Sequence, residues 1–253
     1  IIQVFKIKFH IYKQLFWCTI LQRINKIFYL KTMCGIAGFF SVNRTENELK
    51  KMTQSLNHRG PDANGIYFDS NVGIGLGHSR LSIIDLTSNA NQPMISHSKR
   101  YVMVYNGEIY NYHEIRQELK ISNWKSNSDS EVILEAFEKW GVDFVHKLNG
   151  MFAIAIFDKL ENSLFLFRDR VGIKPLYYYR KNKEFIFGSE WKVFKNHNIE
   201  LTLNRESIYS FLHLGFIPRE KTVYNEVVKV EPGSYIKFIN GELKKQNFWK
   251  PES

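Results

Sequence analysis

The chain has 253 residues, 44% hydrophobic and 24% charged, with 35 Lys and Arg against 25 Asp and Glu for a net charge of +10. That balance excludes a disordered chain, and 15 glycines with six prolines exclude a collagen-like or linker-dominated one. Two cysteines are too few for a disulfide framework or a four-thiolate zinc site.

The charge is unevenly spread. Residues 1–32 hold Lys6, Lys8, Lys13, Arg23, Lys26 and Lys31 and no acid, which leaves +4 for the remainder. From Met33 onward the composition therefore gives no reason to expect a nucleic-acid partner or an anionic surface. The longest uncharged run in the first segment, Gln14 to Gln22, is nine residues, whereas a bilayer needs about 20, so no membrane span is expected. A clean apolar h-region with a small-residue cleavage site is absent, and a mitochondrial-type presequence would want more Ser and Arg. The bias to Ile, Lys, Phe, Asn and Tyr is that of translated A/T-rich DNA. Residues 1–32 are expected to be a non-native or removable extension, ahead of a domain over 33–249.

Thr45-Glu-Asn-Glu48 is a capping box, and Leu49, Met52 and Leu56 follow at helical spacing, so a helix is predicted over 45–57. Val72 to Gly77 reads as a glycine-interrupted strand. Tyr101 to Tyr105 reads as a strand ending at Asn106-Gly107, and Tyr110 to Leu119 as a short helix. Ser128 or Asp129 caps a stronger helix, with Val132, Ile133, Ala136, Phe137 and Trp140 on one face and Gly141 at its end. Val142 to Leu148 is another short helix. Three hairpins are then predicted: Phe152–Phe157 with Leu164–Phe167, Leu176–Tyr179 with Glu184–Phe187, and Ser234–Ile239 with Glu242–Phe248 around Asn240-Gly241. A helix near Arg205 to Leu214 lies between the last two. Antiparallel strands apolar along their whole length, with amphipathic helices, imply a layered α+β protein.

Several residues could carry chemistry. Cys34 follows Met33, and Met removal would leave it with a free α-amino group, able to serve as base for its own thiol; a buried free Cys is the plainer reading. Asn106-Gly107 offers two donors for an oxyanion, or only a turn. Arg80 suits capture of a carboxylate, or an ion pair with Asp85. Asp129 could pair with an ammonium or cap its helix. His58-Arg-Gly-Pro-Asp62 and Arg168-Asp-Arg170 read as charged loops, solvated or structural. The eight histidines include no helical pair at ligand spacing, so no metal site is expected.

In order along the chain, MCGIAGF, HRGPD, HSRLSIID, YNGEIYN, SDSEVI, MFAIAIFD, RDRVGIKPLYY and FGSE resemble the class II glutamine amidotransferases. These are N-terminal-nucleophile hydrolases, and the match is closest to the glutaminase half of the glutamine-hydrolysing asparagine synthetases. The resemblance covers Met33 to Trp249. It implies a four-layer αββα fold with two stacked antiparallel sheets. It implies Cys34 as nucleophile, with Asn106 and Gly107 stabilising the oxyanion. Arg80, with Leu81, Ser82, Ile83 and Ile84 beside it, would hold the glutamine carboxylate, and Asp129 with Glu108 the ammonium.

The same resemblance implies glutamine as substrate and no cofactor for this half. ATP and Mg belong to a synthetase domain that amidates aspartate, with residues 250–253 as the start of a linker to it. No Ser-Gly-Gly-x-Asp-Ser loop of that domain occurs in the chain. A cytoplasmic location is expected, and a homodimer is open for the full-length protein. Two alternatives stay open: a parent acting on another carboxylate, as in surface-polysaccharide synthesis, or a non-catalytic module of this fold.

Overall fold

The computed structural model describes residues 34–81, 90–195 and 199–251. Sheet A has the order β10-β8-β9-β1-β3-β2, with β1 (Gly35–Phe40), β2 (Ala63–Asp69), β3 (Ile74–Arg80), β8 (Tyr177–Lys181), β9 (Glu184–Gly188) and β10 (Val227–Lys229). Sheet B has the order β12-β11-β7-β6-β5-β4, with β4 (Met94–Ile95), β5 (Tyr101–Ile109), β6 (Gly150–Asp158), β7 (Ser163–Arg168), β11 (Ser234–Ile239) and β12 (Glu242–Asn247). Every ladder is antiparallel.

The helices divide between the outer faces. Leu49, Met52 and Leu56 of α1 (Glu46–Gln54) and its end pack with Val193 and Phe194 of α5 (Lys192–Lys195) on Ala37, Phe39 and Ile186 of sheet A. Ile36, Leu76, Phe185 and Phe187 of sheet A meet Val102, Val104, Ala155, Leu166 and Phe238 of sheet B in the central core. On the far face of sheet B, Tyr101, Met103, Tyr105, Ile154 and Phe167 pack against α2 (Tyr112–Leu119), α3 (Asp129–Trp140) and α4 (Phe144–Lys147). This is the four-layer αββα arrangement. Because both faces of each sheet are covered, β6 is apolar on both, as Phe152-Ala-Ile-Ala-Ile-Phe157 requires. The aromatic centre of the far layer is tight: Phe167 lies 5.0 Å from Phe144 and 5.3 Å from Tyr235, ring to ring. Truncating it to Ala would cost about 3–5 kcal/mol. Among the described residues no helix is long and apolar enough to cross a membrane.

The capping box at Thr45 is present in full, with Glu48 N–H on Thr45 Oγ1 at 3.3 Å and Thr45 N–H on Glu48 Oε2 at 2.8 Å. The helix stops at Gln54, and 55–59 continue as turns. All three hairpins form, and Asn240 and Gly241 take the positive φ values, 53° and 81°, that a two-residue primed turn needs. α6 (Arg205–Leu214) is also present. Three expectations are corrected. The strand at 72–77 begins at Ile74 and runs on to Arg80. β5 does not end at Asn106-Gly107 but continues through them to Ile109, because β6 pairs with it along the whole length. Val142 to Leu148 splits into a 3-10 turn at Gly141–Asp143 and α4. After β12 the chain is held to the domain: the N–H groups of Phe248 and Trp249 both bond Gly233 O, at 2.9 and 3.1 Å, and Phe248 packs on the core beside Phe152.

Candidate active site

Cys34 lies at the open end of the sandwich, just ahead of β1. Leu81 N–H donates to its Sγ at 3.3 Å, and the thiol donates to Leu81 O at 3.5 Å. Burial pushes the thiol pKa up, and the Leu81 backbone, Lys174 and Arg80 offset only part of that. Lys174 is itself 4% exposed, and its pKa is pushed down by burial and by Arg59.

The two loops read as merely charged have defined partners. Arg59 Nε donates to Cys34 O at 3.0 Å, and its Nη1 pairs with Glu190 at 2.9 Å. His58 Nε2 sits 3.0 Å from both oxygens of the same carboxylate. Burial alone would raise the Glu190 pKa, but Arg59 and His58 hold it below the usual carboxylate range. HRG at the end of α1 and the last residue of FGSE thus grip the nucleophile's backbone. Arg168-Asp-Arg170 is structural: Arg168 donates to the carbonyls of Gly172, Lys174 and Val230, while Asp169 accepts from the N–H groups of Phe152, Ile173 and Lys174.

The edge of β5 supplies the second wall. β4 pairs with β5 only at Val102 and Met103, so the edge is open beyond them. Phe152, opposite Gly107, turns its own N–H and C=O towards Asp169 on the β7 side, at 3.2 and 2.9 Å. The alternation of an antiparallel ladder then leaves the odd-numbered N–H groups of β5 on the open edge. Tyr105 N–H goes to Gln92 Oε1 at 2.5 Å and Ile109 N–H to Asp129 Oδ2 at 3.1 Å. Gly107 N–H lies between them. A Cβ on Gly107 would come within 2.2 Å of Met151 O and 2.6 Å of Tyr105 Cε2, so only glycine fits. The neighbouring Asn106 is 1% exposed, and its Nδ2 has no partner among the described residues.

Asp129 does not cap α3 through its side chain; Ser128 is the N-cap residue, and its hydroxyl bonds Ser126 Oγ at 2.9 Å rather than the helix. The Asp129 carboxylate, 4% exposed, accepts instead from Tyr105 OH at 2.8 Å and from Ile109 N–H. Burial raises its pKa above the ordinary value. Arg80, also buried, donates to Asn91 Oδ1. Ser82, Ile83, Ile84 and Asp85 fall outside the described residues, as does the proposed Arg80–Asp85 pairing. Cys34, Arg80, Leu81, Gly107, Glu108 and Asp129 line one cavity that opens to solvent.

His78, Gln92, Ser130 and Tyr105 line the same cavity and were not singled out from sequence. His78 lay within a quoted motif, and Tyr105 directly precedes Asn106. Their partners lie far away in sequence, and no local spacing signals them. His78 is fully buried beside the Tyr105 backbone, and burial, with Arg80 nearby, pushes its pKa down to about 3. Arg80, Asp129 and the backbone edge at Gly107 set a cation, an anion and a backbone donor around one thiol, an arrangement that can hold a zwitterion with its amide at the sulfur.

The family described as glutamine amidotransferase domain matches residues 33–249. A putative glutamine-hydrolysing asparagine synthetase of Methanocaldococcus jannaschii is 37% identical over 241 residues, covering 86% of this chain and 47% of that protein. Asparagine synthetase 1 of Bacillus subtilis is 38% identical over 210 residues, 80% of this chain and 33% of that protein. The chain thus spans between a third and a half of these relatives. Among solved structures, the glutamine phosphoribosylpyrophosphate amidotransferase of B. subtilis superposes with a TM-score of 0.64 at 19% identity, over 86% of this chain and 50% of that one, a likeness of fold. With two thirds of the chain and more inside the family and its relatives, the protein belongs to the class II glutamine amidotransferases, built on the N-terminal-nucleophile hydrolase fold.

Proposed function

We propose that this domain hydrolyses glutamine at Cys34. The observation that carries the reading is the convergence of Cys34, Gly107, Arg80 and Asp129 on one cavity. With Cys34 as first residue, its α-amine takes the thiol proton and the thiolate attacks the γ-carbonyl carbon. His78 is not that base: with a pKa near 3 it is neutral, and almost no base, at pH 7. The oxyanion is held by Gly107 N–H and Asn106 Nδ2. Collapse of the tetrahedral intermediate breaks the C–N bond, the ammonium of Cys34 protonates the leaving nitrogen, and ammonia departs from a γ-glutamyl thioester. Water then frees glutamate. Arg80 pairs with the substrate carboxylate, and Asp129 with Glu108 holds its ammonium.

Residues ahead of Cys34 would turn that base into an amide nitrogen, so activity requires a start at Met33 followed by removal of that Met, or cleavage that frees Cys34. The relatives are named glutamine-hydrolysing asparagine synthetases and are two to three times as long, which supports a longer parent whose further domain uses the ammonia to make asparagine; in this reading that domain amidates aspartate with ATP and Mg, in the cytoplasm. A glutaminase assay on chain with Cys34 verified as its first residue, against Cys34→Ala, tests the reading; no turnover by the processed chain would refute it.

A further inference from the structure

We propose that Tyr105 is a positioning residue that sets the site's preference for amides bearing an α-ammonium. The inference rests on the reading of Asp129 as the ammonium-binding carboxylate.

Tyr105 is 2% exposed and held at three points. Its N–H donates to Gln92 Oε1 at 2.5 Å. Its ring lies against the Cα of Gly107, where a Cβ would sit 2.6 Å from Cε2. Its hydroxyl donates to Asp129 Oδ2 at 2.8 Å. The circuit closes behind it, because Gln92 Nε2 donates to Ser130 Oγ at 3.2 Å, one residue from Asp129. Gln92, Asp129 and Ser130 are each under 9% exposed, so water does not compete for these bonds.

Two consequences follow. Oδ2 accepts from both the phenol and Ile109 N–H, and the Ser130 backbone also bonds the carboxylate, so a ligand cation meets its remaining acceptor capacity chiefly at Oδ1. The phenol is also a rigid spacer between the strand residue that faces the oxyanion and the carboxylate that faces the ammonium. It fixes how far the amide and the α-ammonium of a bound substrate stand apart. Tyr105 touches no reacting atom, so its loss should weaken binding of the ammonium without slowing the chemistry of a substrate that lacks one.

The test compares glutamine with glutaramate, the same amide acid without the α-amino group, on chain whose first residue is verified as Cys34. Tyr105→Phe keeps the ring and removes one bond to a buried charge. It is expected to raise KM for glutamine about tenfold, with kcat within about threefold. For glutaramate, kcat/KM should stay within about twofold. Gln92→Met, which opens the circuit elsewhere, should show a smaller effect of the same kind and serves if Tyr105→Phe folds poorly. Equal losses for both substrates, or no change for either, overturn the proposal. Asp129→Asn separates the two levels. If it abolishes the preference for glutamine while the Tyr105 and Gln92 variants keep it, only the Tyr105 inference fails; if it affects both substrates alike, the reading of Asp129 fails.

Discussion

Arg59 and Glu190, 131 residues apart, meet at 2.9 Å directly behind the nucleophile, where Arg59 also holds the carbonyl of Cys34 at 3.0 Å. The fork geometry of the guanidinium lets one side chain serve both partners. Arg59→Lys retains the charge but cannot span the two, and should lower kcat about tenfold with KM for glutamine little changed, since a small misplacement of the nucleophile is felt in the chemical step. Steady-state kinetics on the processed chain would check this. Because Glu190 is held below the usual carboxylate range, the pair contributes stability that is present above the unfolded carboxylate pKa and lost only as pH falls through the lower, folded one.

Gly107→Ala should be destabilising and inactive together. Its Cβ would meet backbone, Met151 O at 2.2 Å, which cannot rotate away. A loss of about 1–3 kcal/mol in urea unfolding is expected, with glutamine turnover reduced further than stability alone explains.

Asn106→Ala removes a buried donor that has no partner among the described residues. It should leave the unfolding midpoint nearly unchanged and lower kcat by about 10²–10³, the usual size for one oxyanion donor. An effect confined to KM would assign Asn106 to substrate binding instead.

His78 gives a pH dependence of definite sign. Its folded pKa is near 3 against 6.5 for the ordinary imidazole. Below pH 6.5 the unfolded chain takes up a proton that the folded one does not, so stability at neutral pH is lost progressively towards pH 3, by at most about 1.4 kcal/mol per pH unit. His78→Gln should flatten the acid limb of a plot of urea midpoint against pH.

Much of this was legible in the sequence, for local reasons. The hairpin at Asn240-Gly241, the capping box at Thr45 and the apolar face of α3 depend on neighbours a few residues away, and each formed. The motifs also brought Cys34, Gly107, Arg80 and Asp129 to one cavity. What was hidden depends on long-range pairing. Asn106-Gly107 looks like a turn in isolation, and only the register with β6 keeps it in a strand and turns Gly107 N–H to the edge. β1 and β2 carry too many glycines and polar residues to read as strands alone. The clamp on Cys34 joins HRG to FGSE through folding, and nothing in either string reveals the other. The Tyr105–Asp129 bond is hidden for the same reason.

The most direct test of the account is glutamine hydrolysis by two forms of the chain, one beginning at Cys34 and one retaining the residues ahead of it, each with its first residue confirmed by mass. Ammonia release is expected only from the form with a free Cys34 amine, and is lost in Cys34→Ala. Equal turnover by the extended form, or none by the form beginning at Cys34, would contradict it.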